Sequence, residues 1–79
     1  MQQLKRLQAA LNTLTVKCVA VNKTVSDIIE VKSAPSVIPS IDLLLEATLI
    51  KKMTLQLDSL ADTLDDASAL FEEAFCTNE

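Results

Sequence analysis

The sequence contains no glycine, histidine, tryptophan or tyrosine, and only two phenylalanines and two prolines. Phosphate-binding loops, dinucleotide fingerprints and nucleophile elbows need backbone positions that only glycine tolerates, so a chain without glycine cannot form them. The absence of histidine removes the commonest general base and the commonest zinc ligand. We therefore expect a protein that is not an enzyme and that has no cofactor and no metal site.

Cysteine is also scarce, with only Cys18 and Cys76 far apart in the chain. Neither has a close cysteine or histidine neighbour, so the spacing of a metal site is missing. We interpret both as reduced packing residues, and a disulfide between helices or subunits remains the alternative. This interpretation favours a cytoplasmic location, with a nuclear one possible and secretion less favoured.

Long apolar runs are absent as well. No stretch approaches the ~18 apolar residues of a membrane span, and the N-terminus does not resemble a signal peptide. A chain of 79 residues allows one domain. A domain of that size buries only roughly 60% of its unfolded surface, which makes it marginal without partners. We expect no transmembrane segment and a need for association.

Charge is divided unevenly along the chain. Residues 1–39 carry five basic and two acidic residues, a net +3, whereas residues 40–79 carry two basic and nine acidic residues, a net −7. An acidic protein without aromatic stacking platforms is a poor ligand for nucleic acid, which we do not expect as a partner. The opposite charges of the two halves favour two helices that pair with each other.

The first half of the chain has a heptad pattern. Apolar residues recur at alternating spacings of three and four, and the predicted stripe consists of Leu4, Leu7, Leu11, Leu14, Cys18, Val21, Val25 and Ile28. This pattern predicts a helix over about residues 2–32. Pro35 and Pro39 in the segment 33–39 then predict a loop, because proline interrupts a helix. Ser40 is the expected N-cap of a second helix.

The second half has a heptad pattern over about residues 41–76. One predicted stripe position contains Leu43, Ile50, Leu57, Leu64 and Phe71, and the other contains Glu46, Met53, Leu60, Ala67 and Ala74. The first part of this helix is apolar on almost every side, which requires cover on several sides. Together the two stripes predict an all-α antiparallel helical hairpin that completes a four-helix bundle or coiled coil by oligomerisation.

The leucine-rich part of the second helix is the candidate interaction site, because exposed contiguous apolar surface on a protein usually marks an interface. The candidate interface residues are Leu44, Leu45, Leu49, Met53, Leu55, Leu57, Leu60 and Leu64. Glu46 interrupts this apolar series. It is either a residue near the bundle end that reaches solvent or pairs with a lysine, or a buried polar residue that fixes register or partner.

One segment resembles a known binding motif. Residues 53–65 look like the death-ligand helices that dock in the groove of apoptosis regulators. The resemblance implies Met53, Leu57, Leu60 and Leu64 as groove anchors, Ala61 as the small residue and Asp62 as the charge that pairs with an arginine. Ala61 stands where such helices more often have glycine.

Three functional hypotheses follow from the sequence. The first is a non-enzymatic interaction or oligomerisation module, a small subunit of a helical assembly whose partner is itself or another helical protein. The second is a groove-binding ligand helix, as the resemblance implies. The third is a small helical carrier or chaperone for an apolar ligand or substrate, because a bundle interior can enclose one. The acidic residues Asp58, Asp62, Asp65 and Asp66 are expected to form a solvated helix face.

Overall fold

The computed structural model describes residues 2–34 and 37–75. This part of the chain forms two helices, α1 (Gln2–Ser33) and α2 (Pro39–Phe75), without a strand. The helices pack against each other along their length, since Lys17 of α1 contacts Thr63 of α2 and Lys32 contacts Glu46. Residues later in α1 thus contact residues earlier in α2, which means that the two helices run antiparallel. The predicted all-α antiparallel hairpin is therefore confirmed.

The helix ends differ slightly from the prediction. The backbone N–H of Ala34 donates to the carbonyl oxygen of Glu30 at 3.0 Å, which closes the last turn of α1. Helix α2 begins at Pro39, two residues earlier than predicted. Proline suits a first helical position because its fixed φ is helical and the N–H that it lacks would have no partner there. Ser40 consequently lies inside the first turn and is not the N-cap.

Helix α1 is rotated relative to the predicted stripe. We call the line of contact between α1 and α2 the seam. It contains every second residue of the predicted stripe, and the residues between them are replaced by sequence neighbours. The half-buried or buried residues that follow the seam are Leu7, Ala10, Leu14, Lys17, Val21, Thr24, Ile28 and Val31. Leu4, Leu11, Cys18 and Val25 are exposed in the hairpin, so Cys18 does not pack in the seam between α1 and α2. Cys76, the other expected packing residue, lies outside the described residues.

Helix α2 is rotated in the same way. The predicted stripe position that contains Glu46, Met53, Leu60, Ala67 and Ala74 faces α1, as expected. The other seam position contains Asp42, Leu49, Gln56, Thr63 and Leu70. The predicted residues of that position, Leu43, Ile50, Leu57, Leu64 and Phe71, are all exposed.

The rotation can be written in heptad letters, with Leu7 and Glu46 at position a. The seam then consists of positions a and d, whereas the prediction selected a and e. Small seam residues such as Ala10, Thr24, Thr63 and Ala67 allow the helix backbones to approach, because the distance between packed helices depends on the side chains at the contact. The larger e residues are thereby left beside the seam.

The hairpin has very little apolar core. Ala67, at 4% exposure, is the one buried hydrophobic residue within the described ranges, and the buried polar residues there are Thr24 and Thr63 at 1% and 8%. The Cα atoms extend over 62 × 14 × 14 Å, so the molecule is a thin rod. A single layer of two helices cannot cover the remaining leucines, which stay in contact with solvent.

Candidate interaction surface

A polar layer crosses the middle of the seam. The Lys17 Nζ donates to the Thr63 Oγ1 at 2.6 Å and to the carbonyl oxygen of Ser59 at 3.2 Å. The Thr63 hydroxyl in turn donates to the same Ser59 carbonyl at 3.1 Å. A lysine that faces another helix is tolerated only when its ammonium finds acceptors, and here both acceptors come from α2.

A second polar layer lies one heptad closer to the loop. The Thr24 hydroxyl donates to the Gln56 Oε1 at 2.7 Å, and the carbonyl oxygen of Ala20 lies 3.2 Å from the same hydroxyl. Within residues 2–34 and 37–75 no buried side-chain nitrogen or oxygen lacks a hydrogen-bond partner. Because a shift by one turn would separate Thr24 from Gln56, this pair specifies the alignment of the helices.

An ion pair lies at the loop end of the seam. The Lys32 Nζ is 3.0 Å from a carboxylate oxygen of Glu46, whose side chain is partly exposed. Glu46 thus pairs with a lysine near the end of the hairpin, which was one of the two alternatives for this residue. A pair with this exposure stabilises by only about 0–1 kcal/mol, so it contributes more to alignment than to stability.

Sequence reasoning missed the polar seam residues Lys17, Thr24, Gln56, Ser59 and Thr63, because polar side chains on a heptad helix usually face solvent. One signal could have identified four of them. Lys17 and Thr24 are seven residues apart in α1, and Gln56 and Thr63 are seven residues apart in α2. A repeated polar residue at one heptad position on both helices indicates matching polar layers.

The exposed e residues of both helices lie on one side of the rod. In an antiparallel pair the e positions of the two helices flank the same edge of the seam. One groove confirms this placement, because it is lined by Leu11 of α1 together with Leu64 and Phe71 of α2. We call this side the apolar flank, and its residues are Leu4, Leu11, Cys18, Val25, Leu43, Ile50, Leu57, Leu64 and Phe71.

Charge is nearly absent from the apolar flank and its border. The b positions lie next to the e positions on each helix. Among the described residues they are Gln8, Thr15, Asn22, Ile29, Ser40, Ala47, Thr54, Ala61, Ser68 and Phe75, all uncharged. Lys32, which pairs with Glu46, is the single charged e or b residue in the described ranges. This side of the rod is therefore easily dehydrated.

The opposite side of the rod is different. Leu45 and Leu55 are exposed there, but Lys51 and Lys52 lie on the same surface of α2, and a shallow groove is lined by Leu55 together with both lysines. The acidic cluster of Asp58, Asp62, Asp65 and Asp66 is exposed on the outer part of α2. No set of three metal-binding side chains was found within residues 2–34 and 37–75.

The candidate interface residues are thus divided among three places. Leu49, Met53 and Leu60 lie half-buried in the seam, and Leu57 and Leu64 lie on the apolar flank. Leu44, Leu45 and Leu55 are exposed on the outer and opposite sides of α2. The anchors implied by the death-ligand resemblance are divided in the same way, since Met53 and Leu60 face α1 while Leu57 and Leu64 face outward.

Neither a family model, nor a curated protein, nor a solved structure matches the chain. Neither described helix contains an apolar stretch long enough to cross a bilayer. The two polar layers that align the hairpin and the apolar flank beside them are the features from which a function can be inferred.

Proposed function

We propose that the protein is a non-enzymatic helical interaction module, whose hairpin becomes stable when another helical surface covers it. The observation that carries this proposal is the composition of the core. Ala67 is the one buried hydrophobic residue in the described ranges, while 18 large hydrophobic residues there are exposed. A folded protein usually keeps such residues inside, and contiguous exposed apolar surface marks an interaction site.

The energetics of the seam support the same proposal. Burial of apolar surface contributes about 25 cal/mol per Å² and is the main favourable contribution to folding. Most apolar residues of this seam are only half-buried, and its middle layers contain hydroxyl, amide and ammonium groups. The hydrogen bonds of those groups contribute about 1 kcal/mol each because they replace bonds to water. Such a seam specifies alignment well but stabilises weakly. Cover of the apolar flank would supply the missing apolar burial.

Thermal unfolding at several protein concentrations tests the proposal. A partner that binds only the folded chain raises its stability by mass action. If the chain is its own partner, we expect the midpoint followed by circular dichroism to rise with concentration from the micromolar to the millimolar range. If the partner is a different protein, we expect a fluctuating helical monomer that binds a hydrophobic dye. A cooperatively folded monomer with a constant midpoint would contradict the proposal.

A further inference from the structure

We infer that the apolar flank binds a second copy of the same chain, with the two-fold axis parallel to the helices. The product is a four-helix bundle in which α1 of each copy lies on α2 of the other. This inference rests on the proposed function and adds to it the surface, the partner and the orientation.

The area of the flank fits a self-association. A symmetric dimer needs one patch that matches itself, and the apolar flank runs along both helices of the rod. The rod is 62 Å long and 14 Å wide between Cα atoms, so one side covers about 870 Å². A stable interface of standard size needs about 800 Å² from each partner. The outline of one side of this hairpin is therefore of the size that such an interface needs.

Charge favours one of the two symmetric ways to stack the flanks. An axis parallel to the helices places α1 on the partner's α2, whereas an axis across the rod places α1 on α1 and α2 on α2. Helix α1 has five basic and two acidic residues, and α2 has two basic and eight acidic residues. The first arrangement makes each positive helix adjacent to a negative one. The second brings the two acidic helices together, which opposes association.

The loop end supports the same orientation. Val37 is 98% exposed, and Ile38 and Ile41 beside it are also exposed. With the axis parallel to the helices, both loops lie at the same end of the bundle, and these apolar residues of the two copies become neighbours. With the axis across the rod, the loops lie at opposite ends and these residues stay in water.

Paired substitutions on α2 test the surface. Leu57 lies on the apolar flank at 46% exposure, and Leu55 lies on the opposite side at 62%. Both occupy the same helical turn, so Leu57→Glu and Leu55→Glu change hydropathy and helix propensity equally. We expect Leu57→Glu to raise the dimer dissociation constant roughly 100-fold or more, because the carboxylate would be buried without a partner in both copies. We expect Leu55→Glu to leave the mass from sedimentation equilibrium unchanged.

A second pair, on α1, repeats the test independently. Leu11 belongs to the apolar flank, and Val19 is exposed on the outer side. Leu11→Glu should dissociate the dimer as Leu57→Glu does, whereas Val19→Glu should not. Equal effects within each pair, or larger effects of the Leu55 and Val19 variants, would overturn the assignment of the flank.

A distance measurement tests the orientation without changing the charge of the flank. The variant Val37→Cys, combined with Cys18→Ala and Cys76→Ser, accepts one spin label at the loop of each copy. We expect a distance between labels on the order of 20 Å by electron double resonance, since adjacent helix axes are about 10 Å apart. A distance close to the 62 Å length of the rod would overturn the parallel axis.

The outcomes also separate this inference from the proposed function. A fluctuating monomer that binds a hydrophobic dye and shows no dipolar coupling between spin labels would overturn self-association but leave the proposed function intact. A dimer that depends on Leu55 and not on Leu57 would overturn the surface alone. A cooperatively folded monomer at all concentrations would overturn both.

Discussion

The Thr24 side chain is almost completely buried, and its hydroxyl donates to the amide oxygen of Gln56 on the facing helix. A buried polar pair of this kind contributes little net stability when both members are present. Its loss is costly when one member is removed, because the other is then buried without a partner. The pair therefore acts mainly against misaligned hairpins, in which the Gln56 amide oxygen would lose its donor while the Thr24 hydroxyl would keep only the Ala20 carbonyl as acceptor.

The variant Thr24→Val measures the cost of removing one member of this pair. Valine has nearly the shape of threonine but cannot donate, so the Gln56 oxygen loses its partner. We expect a loss of about 1–2 kcal/mol in the free energy of unfolding, measured with urea at fixed protein concentration. The double variant Thr24→Val with Gln56→Leu should recover most of this loss, because an apolar layer replaces the polar one.

Thr13→Val provides the control for that substitution. Thr13 is exposed, and its hydroxyl donates to the carbonyl oxygen of Ala9, four residues earlier, but to no residue of α2 within the described ranges. The change should stay within about 0.5 kcal/mol. A double variant of Thr24 and Gln56 that is less stable than either single variant would show that the polar layer stabilises as well as aligns.

At the scale of the helices, the sequence predicts that two helices form and approximately where each begins and ends. It does not predict which side of each helix faces the other. The series with spacings of three and four that begins at Leu4 contains only apolar residues, whereas the observed seam series that begins at Leu7 includes Lys17 and Thr24. Apolar periodicity alone therefore favours a stripe that the structure uses only in part. The choice depends on partners across the seam, such as Thr63 for Lys17, which only the assembled pair of helices reveals.

The same limit applies to the candidate site. Leu57 and Leu64 were expected at the interface and also in the seam, and the structure places them beside the seam on the apolar flank. Leu45 and Leu55 are equally hydrophobic leucines, but they lie on the other side of the helix. Hydrophobicity alone predicts that α2 has surplus apolar surface, but which leucines share one side depends on the rotation.

Two valines of α1 test this rotation directly. Val19 is exposed, whereas Val21 is half-buried in the seam. Val19→Ala should raise the free energy of unfolding by about 0.5 kcal/mol, because alanine is the better helix former and no packing is lost. Val21→Ala should lower it by about 1–2 kcal/mol, because the loss of packing exceeds the gain in propensity. Urea unfolding at one protein concentration compares the two, and equal shifts would contradict the rotation.

The whole molecule is a rod whose length greatly exceeds its width, and this shape determines how association changes its dimensions. The Cα radius of gyration is 17.9 Å and is determined almost entirely by the 62 Å length. Side-by-side association through the apolar flank adds thickness and no length. End-to-end association would add length and almost no thickness.

Small-angle X-ray scattering distinguishes these cases. We expect the forward scattering to report twice the 8.6 kDa mass of the chain, with a maximum dimension that stays near the length of one rod. The radius of gyration should rise only slightly, because two rods with axes about 10 Å apart add little to it. A maximum dimension close to double the rod length would be incompatible with contact through the flank.

The separation of charge between the two helices has a consequence for the kinetics of encounter. The helix macrodipoles cancel because the helices are antiparallel, but the rod keeps a positive edge along α1 and a negative edge along α2. An approaching copy therefore experiences a torque about its long axis, which rolls it until unlike edges meet. Salt weakens this torque, yet it also screens the repulsion between two molecules that each carry a net charge of −4. The two effects oppose each other, so the association rate should pass through a maximum at intermediate ionic strength.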